Sequence, residues 1–230
     1  MKEFQTIKKQ YSIFGEFKYY LDNIGKIEEL FPAFNKNEEK EQLRDQNNNL
    51  FDSKVYYLSN VNLQLKISRF RLDFIYYYNN EPLTDEEFMD FVDEFSKKFT
   101  GDLAVNGVRI SYLTNEFILN EYGTNSNIQA KNLNIPEIFG TRPDEASMRF
   151  NFVKEIALKE KINTIIAIQD AVVTNNNTKE RQKIISLNYD INTVIQNNAQ
   201  RFAVDDSLFF LKELIKAQNE LRDKVANLYI

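Results

Sequence analysis

The sequence predicts an α+β protein in which curved antiparallel sheets are each covered by a long helix. Three observations lead to this prediction. Several segments alternate apolar and polar residues as half-buried strands do, three segments carry helical stripes, and the strands come in consecutive runs. The chain has 230 residues, 43% of them hydrophobic, and is therefore able to bury a substantial core. The order of elements also allows two similar halves.

The N-terminal part, residues 1–119, begins with a predicted short strand at 11–14 and a helix at 17–31. Apolar residues of the helix recur every three or four positions, and Pro32 ends the pattern. Residues 35–49 carry a single Leu among charged and amide side chains. This composition is typical of a solvated linker.

Alternation continues from residue 55 to residue 78 but changes parity at Ser68-Arg69. A strand changes parity only at a bulge or a turn. Because neither Gly nor Asn stands at the change, we expect a bulge within one long strand. The apolar residues after the change are expected to face the core, and these are Phe70, Leu72, Phe74, Tyr76 and Tyr78.

Residues 84–99 form the clearest predicted helix. Thr84 and Glu87 match a capping box, and phenylalanines repeat along one face of the segment. The pair Asn106-Gly107 then predicts a hairpin with a type I′ turn between two short strands.

Residues 120–147 contain two Gly and two Pro and predict a long loop, a kind of segment that often forms a binding site or an interface. The C-terminal part, residues 148–230, predicts a three-stranded meander followed by a final helix. This helix is expected to begin near Asp205, Asp206 or Ser207.

The composition excludes several classes of chemistry. With no Cys and no His, the chain lacks thiol nucleophiles, thiolate zinc sites and imidazole acid–base catalysis. An enzyme is therefore the less favoured interpretation, and no cofactor is expected. No signal peptide and no segment apolar enough to span a bilayer is recognised, so we expect a cytoplasmic protein without membrane contact.

Lys66, Arg69 and Arg71 are a candidate nucleic-acid contact, because strand alternation places them opposite the apolar residues. Tyr77 on the same face offers a ring for stacking on a base. The structural alternative is a strand with its rings in the core and its charges in water. Asp73 among the basic residues and a net charge of −5 favour that alternative, which makes nucleic acid a disfavoured partner.

A second alternative is a Mg²⁺-dependent phosphoester hydrolase that uses Asp144 and Glu155. Asp144 follows a Pro and resembles the start of the PD-(D/E)xK nuclease motif, but three apolar residues separate Glu155 from Lys159, so the acid-x-Lys spacing is missing. The other acidic residues considered for a cation are Asp170, Asp190, Asp205 and Asp206. They lack the glycine-containing loop of an EF-hand, and no metal site is predicted.

The final helix carries apolar residues at spacings of three and four, with one polar member. This candidate dimer seam consists of Leu211, Leu214, Gln218, Leu221, Val225 and Leu228. Such a seam packs against the same helix of a second copy, and a single polar residue within it can set the register. The alternative is that the helix covers the sheet of its own chain.

Two further segments carry a family resemblance. LNYDINT at 187–193, which precedes the final helix, and KISRFRLDF at 66–74 resemble a sporadically distributed bacterial family of uncharacterised proteins. The likeness covers residues 55–230 and consists of hydrophobic patterns, so it implies no catalytic residues. The sporadic distribution implies an accessory role of the phage-defence or immunity type. The leading hypothesis is therefore a non-enzymatic protein-interaction protein that works as a homodimer or with a protein partner.

Overall fold

The main element of the fold is an antiparallel sheet of nine strands. A computed structural model describes residues 4–30, 41–44, 50–58, 62–78, 82–100, 104–119, 146–174, 179–195 and 199–229. The strands are β1 (Phe4–Phe14), β2 (Glu41–Arg44), β3 (Leu50–Leu58), β4 (Leu63–Ser68), β5 (Arg71–Tyr77), β6 (Asn106–Gly107), β7 (Arg109–Leu119), β8 (Ser147–Glu155), β9 (Lys161–Thr174), β10 (Arg181–Thr193) and β11 (Phe202–Ala203). The helices are α1 (Lys18–Asp22), α2 (Ile24–Leu30), α3 (Asp85–Ser96) and α4 (Ser207–Tyr229).

The strands of the sheet follow the order β2-β3-β4-β5-β1-β7-β10-β9-β8, and β6 pairs with β11 in a separate ribbon. The first strand, β1, lies at the centre and pairs antiparallel with β5 and β7. The predicted α+β class and antiparallel sheet are confirmed. Because β7 pairs with both β1 and β10, one sheet runs through the predicted N-terminal and C-terminal parts. Sheet curvature, domain boundaries and similar halves stay predictions.

The hydrophobic core lies between the helices and one face of the sheet, which we call the helix face; the opposite face is the second face. Facing residues in an antiparallel pair share a face of the sheet. Tyr112 of β7 stands opposite Tyr11 of β1 and Ile191 of β10, and all three are fully buried. The apolar sides of α3 and α4 belong to the same core cluster.

Several predicted elements are confirmed. Glu87 N donates to Thr84 Oγ1 at 3.2 Å and Thr84 N donates to Glu87 Oε2 at 2.8 Å, which completes the capping box of α3. The meander is present as β8, β9 and β10, and α4 begins at Ser207. The helix predicted at 17–31 is instead two short helices separated at Asn23. None of the helices in the described residues combines the length and apolar content that a membrane span requires.

The predicted bulge at Ser68-Arg69 is wrong. Residues 63–77 form two antiparallel strands, β4 and β5, joined by a turn at Arg69-Phe70, with Ser68 opposite Arg71. A two-residue turn changes the parity of the buried residues just as a bulge does. The alternation therefore did not distinguish one bent strand from a hairpin.

The turn also changes which rings reach the core. Leu72, Phe74 and Tyr76 are buried as predicted. Phe70 and Tyr78 are 43% and 48% exposed, because one lies in the turn and the other lies beyond the end of β5. Their assignment to the core is wrong.

The predicted hairpin at Asn106-Gly107 is wrong as well. These two residues form β6, which pairs with Phe202-Ala203. A Cβ atom on Gly107 would lie 2.5 Å from Ile13 Cγ2 and 3.0 Å from the Phe14 carbonyl oxygen. Close packing against β1, not a turn, therefore explains this glycine.

Part of the predicted linker is a strand. Residues 41–44 form β2, which pairs with β3 at the end of the sheet. Charged and amide side chains are common on edge strands because they discourage further pairing. The rest of the segment 35–49, and residues 120–145 of the predicted long loop, lie outside the described residues.

Gly107→Ala is expected to lower the free energy of unfolding by about 1–3 kcal/mol, because the added methyl group overlaps Ile13 and the Phe14 carbonyl. Gly25→Ala is the matched control, since a Cβ there meets nothing within 4 Å. Its stability should stay unchanged or rise by up to about 1 kcal/mol. Urea unfolding measures the free energy of unfolding of both variants. If the two substitutions change it equally, close packing is not the reason for the glycine at position 107.

Candidate functional site

Strand β8 is the last strand of the sheet, at the end opposite β2. Among the described residues it pairs only with β9. At its two ends, Ala146 O accepts a hydrogen bond from Asp170 N at 3.2 Å, and Ile156 N donates to Glu160 O at 2.8 Å. Bonding alternates along an antiparallel strand, and the register with β9 is unbroken. Even-numbered residues of β8 therefore bond β9, and odd-numbered residues direct their N–H and C=O groups outward.

Three large apolar side chains of β8 are exposed. Phe150, Phe152 and Val153 have exposed fractions of 41%, 52% and 62%. The rings of Phe150 and Phe152 stack on the helix face with centroids 6.2 Å apart. Edge strands are usually protected by Pro, a bulge, charged side chains or a covering element. β8 contains neither a Pro nor a register shift, and its charged residues Arg149, Lys154 and Glu155 are of both signs. Such an edge is suited to strand addition.

A groove of about 340 Å³ lies on the helix face between β8 and α4. Its walls come from Phe150 and Phe152 of β8, Ile166 and Ile168 of β9, and Leu221 and Val225 of α4. The groove exists because α4 lies over β7, β9 and β10 and does not reach across β8.

The groove contains one buried polar group and has a charged mouth. Thr164 is 5% exposed, and its hydroxyl oxygen has no hydrogen-bond partner. At the mouth, Lys154 Nζ donates to Glu220 Oε2 at 2.8 Å. This hydrogen bond and the charges of Lys154, Lys216 and Lys224 lower the pKa of Glu220. Lys154, Lys224 and Glu220 line the mouth, so its lining residues carry a net positive charge.

Lys66 and Arg71, two of the three predicted nucleic-acid contacts, lie together beside Asp73. Lys66 stands opposite Asp73 in the register of β4 and β5, and Arg71 Nε donates to Asp73 Oδ2 at 2.8 Å. Asp73 is buried and also accepts a hydrogen bond from Ser12 Oγ at 2.6 Å. Burial raises the pKa of Asp73, and Arg71 and the hydrogen bonds partly oppose that rise. The carboxylate therefore neutralises one of the two cations.

Arg69, the third predicted contact, lies apart from this pair. It is in the turn between β4 and β5, where its Nε is 3.7 Å from Glu16 Oε1 and its guanidinium is 5.0 Å from the ring centre of Phe70. The predicted basic strand face is thus divided between a paired cluster and an exposed turn.

Lys8 and Arg109 extend the basic cluster and were not predicted. Burial lowers the pKa of Lys8, Asp73 opposes this effect, and the nearby charges of Arg71 and Lys66 lower the pKa further. The guanidinium of Arg109 lies 5.0 Å from the ring centre of Phe14 in β1. The alternation of residues along β1 could have identified Lys8 as a member of this face. The strand predicted from the sequence, however, began only at residue 11.

The predicted dimer seam faces the sheet of its own chain. Its five described members are buried, and these are Leu211, Leu214, Gln218, Leu221 and Val225. The side chain of Leu228 lies outside the described residues. This placement agrees with the alternative in which the helix covers its own sheet. A second copy would reach these side chains only if α4 left the sheet.

The residues considered for hydrolysis and cation binding do not meet in the described structure. Asp144 lies outside the described residues, and Glu155 is exposed at the end of β8. In the part of the chain that the structure describes, no three His, Cys, Asp or Glu side chains are grouped to hold a metal ion. Asp170 accepts a hydrogen bond from Ala146 N, and Asp190 accepts one from Ser111 Oγ. Asp205 and Asp206 are exposed in a 3₁₀ turn before α4.

Two ion pairs lie between the helices and the central strands. Lys9 of β1 is buried and donates to Asp85 of α3 at 2.7 Å. Glu116 of β7 is buried with its Oε2 3.1 Å from Nε of Arg222 in α4. Burial raises the pKa of Glu116, and the charge of Arg222 opposes that rise. Each helix thus brings one charged side chain to a buried charge on a central strand.

No protein-family model, no curated protein and no solved structure matches this chain. The arrangement of its own residues is therefore the basis for proposing a function.

Glu116 produces a testable pH dependence. Because its pKa is raised in the folded chain, the folded state binds this proton more tightly than the unfolded chain does. The resulting stability is fully present below the ordinary pKa of 4.5 and is lost as the pH rises through the raised pKa. We expect the unfolding free energy of the wild type to fall with rising pH in this range relative to that of Glu116→Gln.

Urea unfolding at a series of pH values between 4 and 8 measures this difference. Glu94→Gln is the control, because it removes the same charge from an exposed position on α3. The unfolding free energy of Glu94→Gln should differ from that of the wild type by nearly the same amount at every pH. Parallel profiles for the wild type and Glu116→Gln would contradict the prediction.

Proposed function

We propose that this chain is a non-enzymatic protein-interaction protein that acts as a homodimer through the outer edge of β8. The observation that carries the proposal is an unbroken edge strand with three exposed apolar side chains. In strand addition, backbone hydrogen bonds supply affinity and side chains supply specificity. An accessory role in the cytoplasm, of the phage-defence or immunity type, is the context that the family resemblance suggests.

The sequence of β8 is complementary to itself in an antiparallel pair centred on Asn151. The backbone groups of Asn151 point outward, so the two copies of this residue can exchange both hydrogen bonds. Phe150 then stands opposite Phe152 of the partner subunit on the helix face, and this pair occurs twice. Aromatic cross-strand pairs contribute roughly 0.2–1 kcal/mol each.

Charge complementarity supports the same pairing on the second face. Arg149 stands opposite Val153 of the partner subunit and diagonal to Glu155 of the partner subunit. Diagonal neighbours on paired strands are about 7–8 Å apart, within reach of long side chains. The two-fold symmetry repeats this Arg–Glu pair, as expected for an isologous interface.

We also propose that the fold consists of two similar halves, which gives β8 a counterpart. In one half, β1 is followed by the meander β3-β4-β5 and by α3; in the other, β7 is followed by β8-β9-β10 and by α4. The last meander strand pairs with the first strand of its half, and β1 pairs with β7 between the halves. β8 therefore corresponds to β3, which carries β2 on its outer side. In the described residues this position beside β8 is free.

Asn151→Pro is expected to convert the dimer to a monomer without unfolding it. Proline removes an N–H group that points outward, and edge strands tolerate proline at such positions. Asn151→Ala is the matched control, since it keeps the N–H group and should remain dimeric. Sedimentation velocity at micromolar concentration measures the mass, and circular dichroism checks the fold. A monomeric wild type rejects the homodimer, and a dimer that survives Asn151→Pro rejects this edge.

Nucleic-acid binding is a second candidate, supported by the grouping of Lys8 and Arg109 with Lys66 and Arg71. In a low-salt filter-binding assay, Lys66→Glu combined with Arg69→Glu should weaken retention of single-stranded DNA at least tenfold, because both changes reverse charges near the phosphates. Arg71 is left in place because it pairs with a buried carboxylate. The control variant combines Lys97→Glu with Lys212→Glu, which reverses two charges away from the basic cluster. Failure of the wild type to retain DNA rejects this candidate.

A further inference from the structure

The groove between β8 and α4 has the dimensions of a small ligand site. Its volume of about 340 Å³ lies at the lower end of the range of about 300–1,000 Å³ that is typical of such sites. Its floor and walls are aliphatic and aromatic side chains from β8, β9 and α4. An occupant must therefore present an apolar body that is narrow enough for a single chain or a small ring system.

The hydroxyl of Thr164 indicates that this occupant also carries a hydrogen-bonding group. Burying a polar group without a hydrogen-bond partner is unfavourable. Thr164 lines the groove, is 5% exposed and has no hydrogen-bond partner. The hydroxyl oxygen itself has almost no accessible surface, so a ligand oxygen supplies the missing bond only when rotation of the Thr164 side chain turns the hydroxyl into the groove.

The charges at the mouth indicate the sign of the polar group. Lys154 is paired with Glu220, while Lys224 lines the groove and forms no ion pair with any described residue. The mouth is therefore lined by two cations, Lys154 and Lys224, and one anion, Glu220. An anionic head group would complete this arrangement.

We propose that the groove binds a small amphipathic carboxylate, with its apolar chain between Phe150, Phe152 and Leu221. The carboxylate accepts a hydrogen bond from the ammonium group of Lys224 and, once the Thr164 side chain rotates, a second one from its hydroxyl. This binding activity goes beyond the proposed homodimer and does not require it, because a single copy of the chain supplies the residues that line the groove.

Chain length provides the first test. Isothermal titration calorimetry of the wild-type protein with hexanoate, octanoate, decanoate and dodecanoate, each below its micelle concentration, should show Kd falling about fourfold per added CH₂ until the groove is filled. Dodecanol, which lacks the carboxylate, should bind about fivefold more weakly than dodecanoate. Absence of binding at millimolar concentration, or an affinity independent of chain length, overturns the proposal.

Variants locate the site. Thr164→Val should weaken dodecanoate about two- to tenfold while leaving the stability equal to or above that of the wild type, because the unpartnered hydroxyl is removed. Lys224→Glu should weaken it at least fivefold. Lys212→Glu is the matched control on the same helix, about 18 Å away along its axis, and should bind as the wild type does. Equal binding by all three variants overturns the proposal.

The Asn151→Pro variant separates this site from the dimer. If dodecanoate binds this variant as it binds the wild type, the ligand site is independent of strand pairing. If dodecanoate binds the monomeric variant but not the dimeric wild type, a second copy fills the groove and the proposal is overturned. A wild type that is monomeric yet binds dodecanoate rejects the proposed dimer and leaves the ligand site standing.

Discussion

The described part of the structure depends on the mismatch between a wide sheet and the few helices that cover it there. Nine strands about 4.8 Å apart place the first and last strands about 38 Å from each other, whereas two adjacent helices about 10 Å in diameter cover about 20 Å. α3 and α4 therefore cover the centre, and α1 extends the cover over β4. At the other end β8 keeps Phe150 and Phe152 exposed. Its free edge and the groove beside it are two consequences of this limited cover.

The two buried ion pairs determine where the limited cover lies. Lys9 and Glu116 belong to the two central strands, and each meets its counter-charge from a different helix. Asp85 and Arg222 are half-buried, and separating either pair leaves Lys9 or Glu116 buried without its counter-charge, which is unfavourable. If α4 moved one strand towards β8, Arg222 would leave Glu116, and the apolar cover gained over Phe150 would have to exceed that cost. Electrostatics at the centre thus keeps the outer strand uncovered.

The sequence predicted the elements better than their connections. The capping box at Thr84 and the alternation along β9 and β10 reflect local geometry, so the helix and the meander were found. The turn at Arg69-Phe70 was missed because a bulge and a two-residue turn change the parity of the buried residues in the same way. The pairing of β6 with β11 depends on contacts between residues far apart in sequence, which periodicity does not contain. The candidate site was missed for the same reason. Phe150 and Phe152 alternate like core residues, and only the position of β8 at the end of the sheet makes them a surface.

The edge and the groove share a strand, so strand pairing and ligand binding are coupled if both take place. Phe150 and Phe152 form one wall of the groove and stand next to the two-fold axis of the proposed dimer. Ordering a side chain at an interface costs about 0.5–1.5 kcal/mol. A ligand that holds the two rings in their stacked orientation orders these side chains in the monomer. Pairing with a second copy then no longer includes this ordering cost. Coupling between two binding events is reciprocal, so any gain in dimer stability that the ligand causes equals the gain in ligand affinity that dimerisation causes.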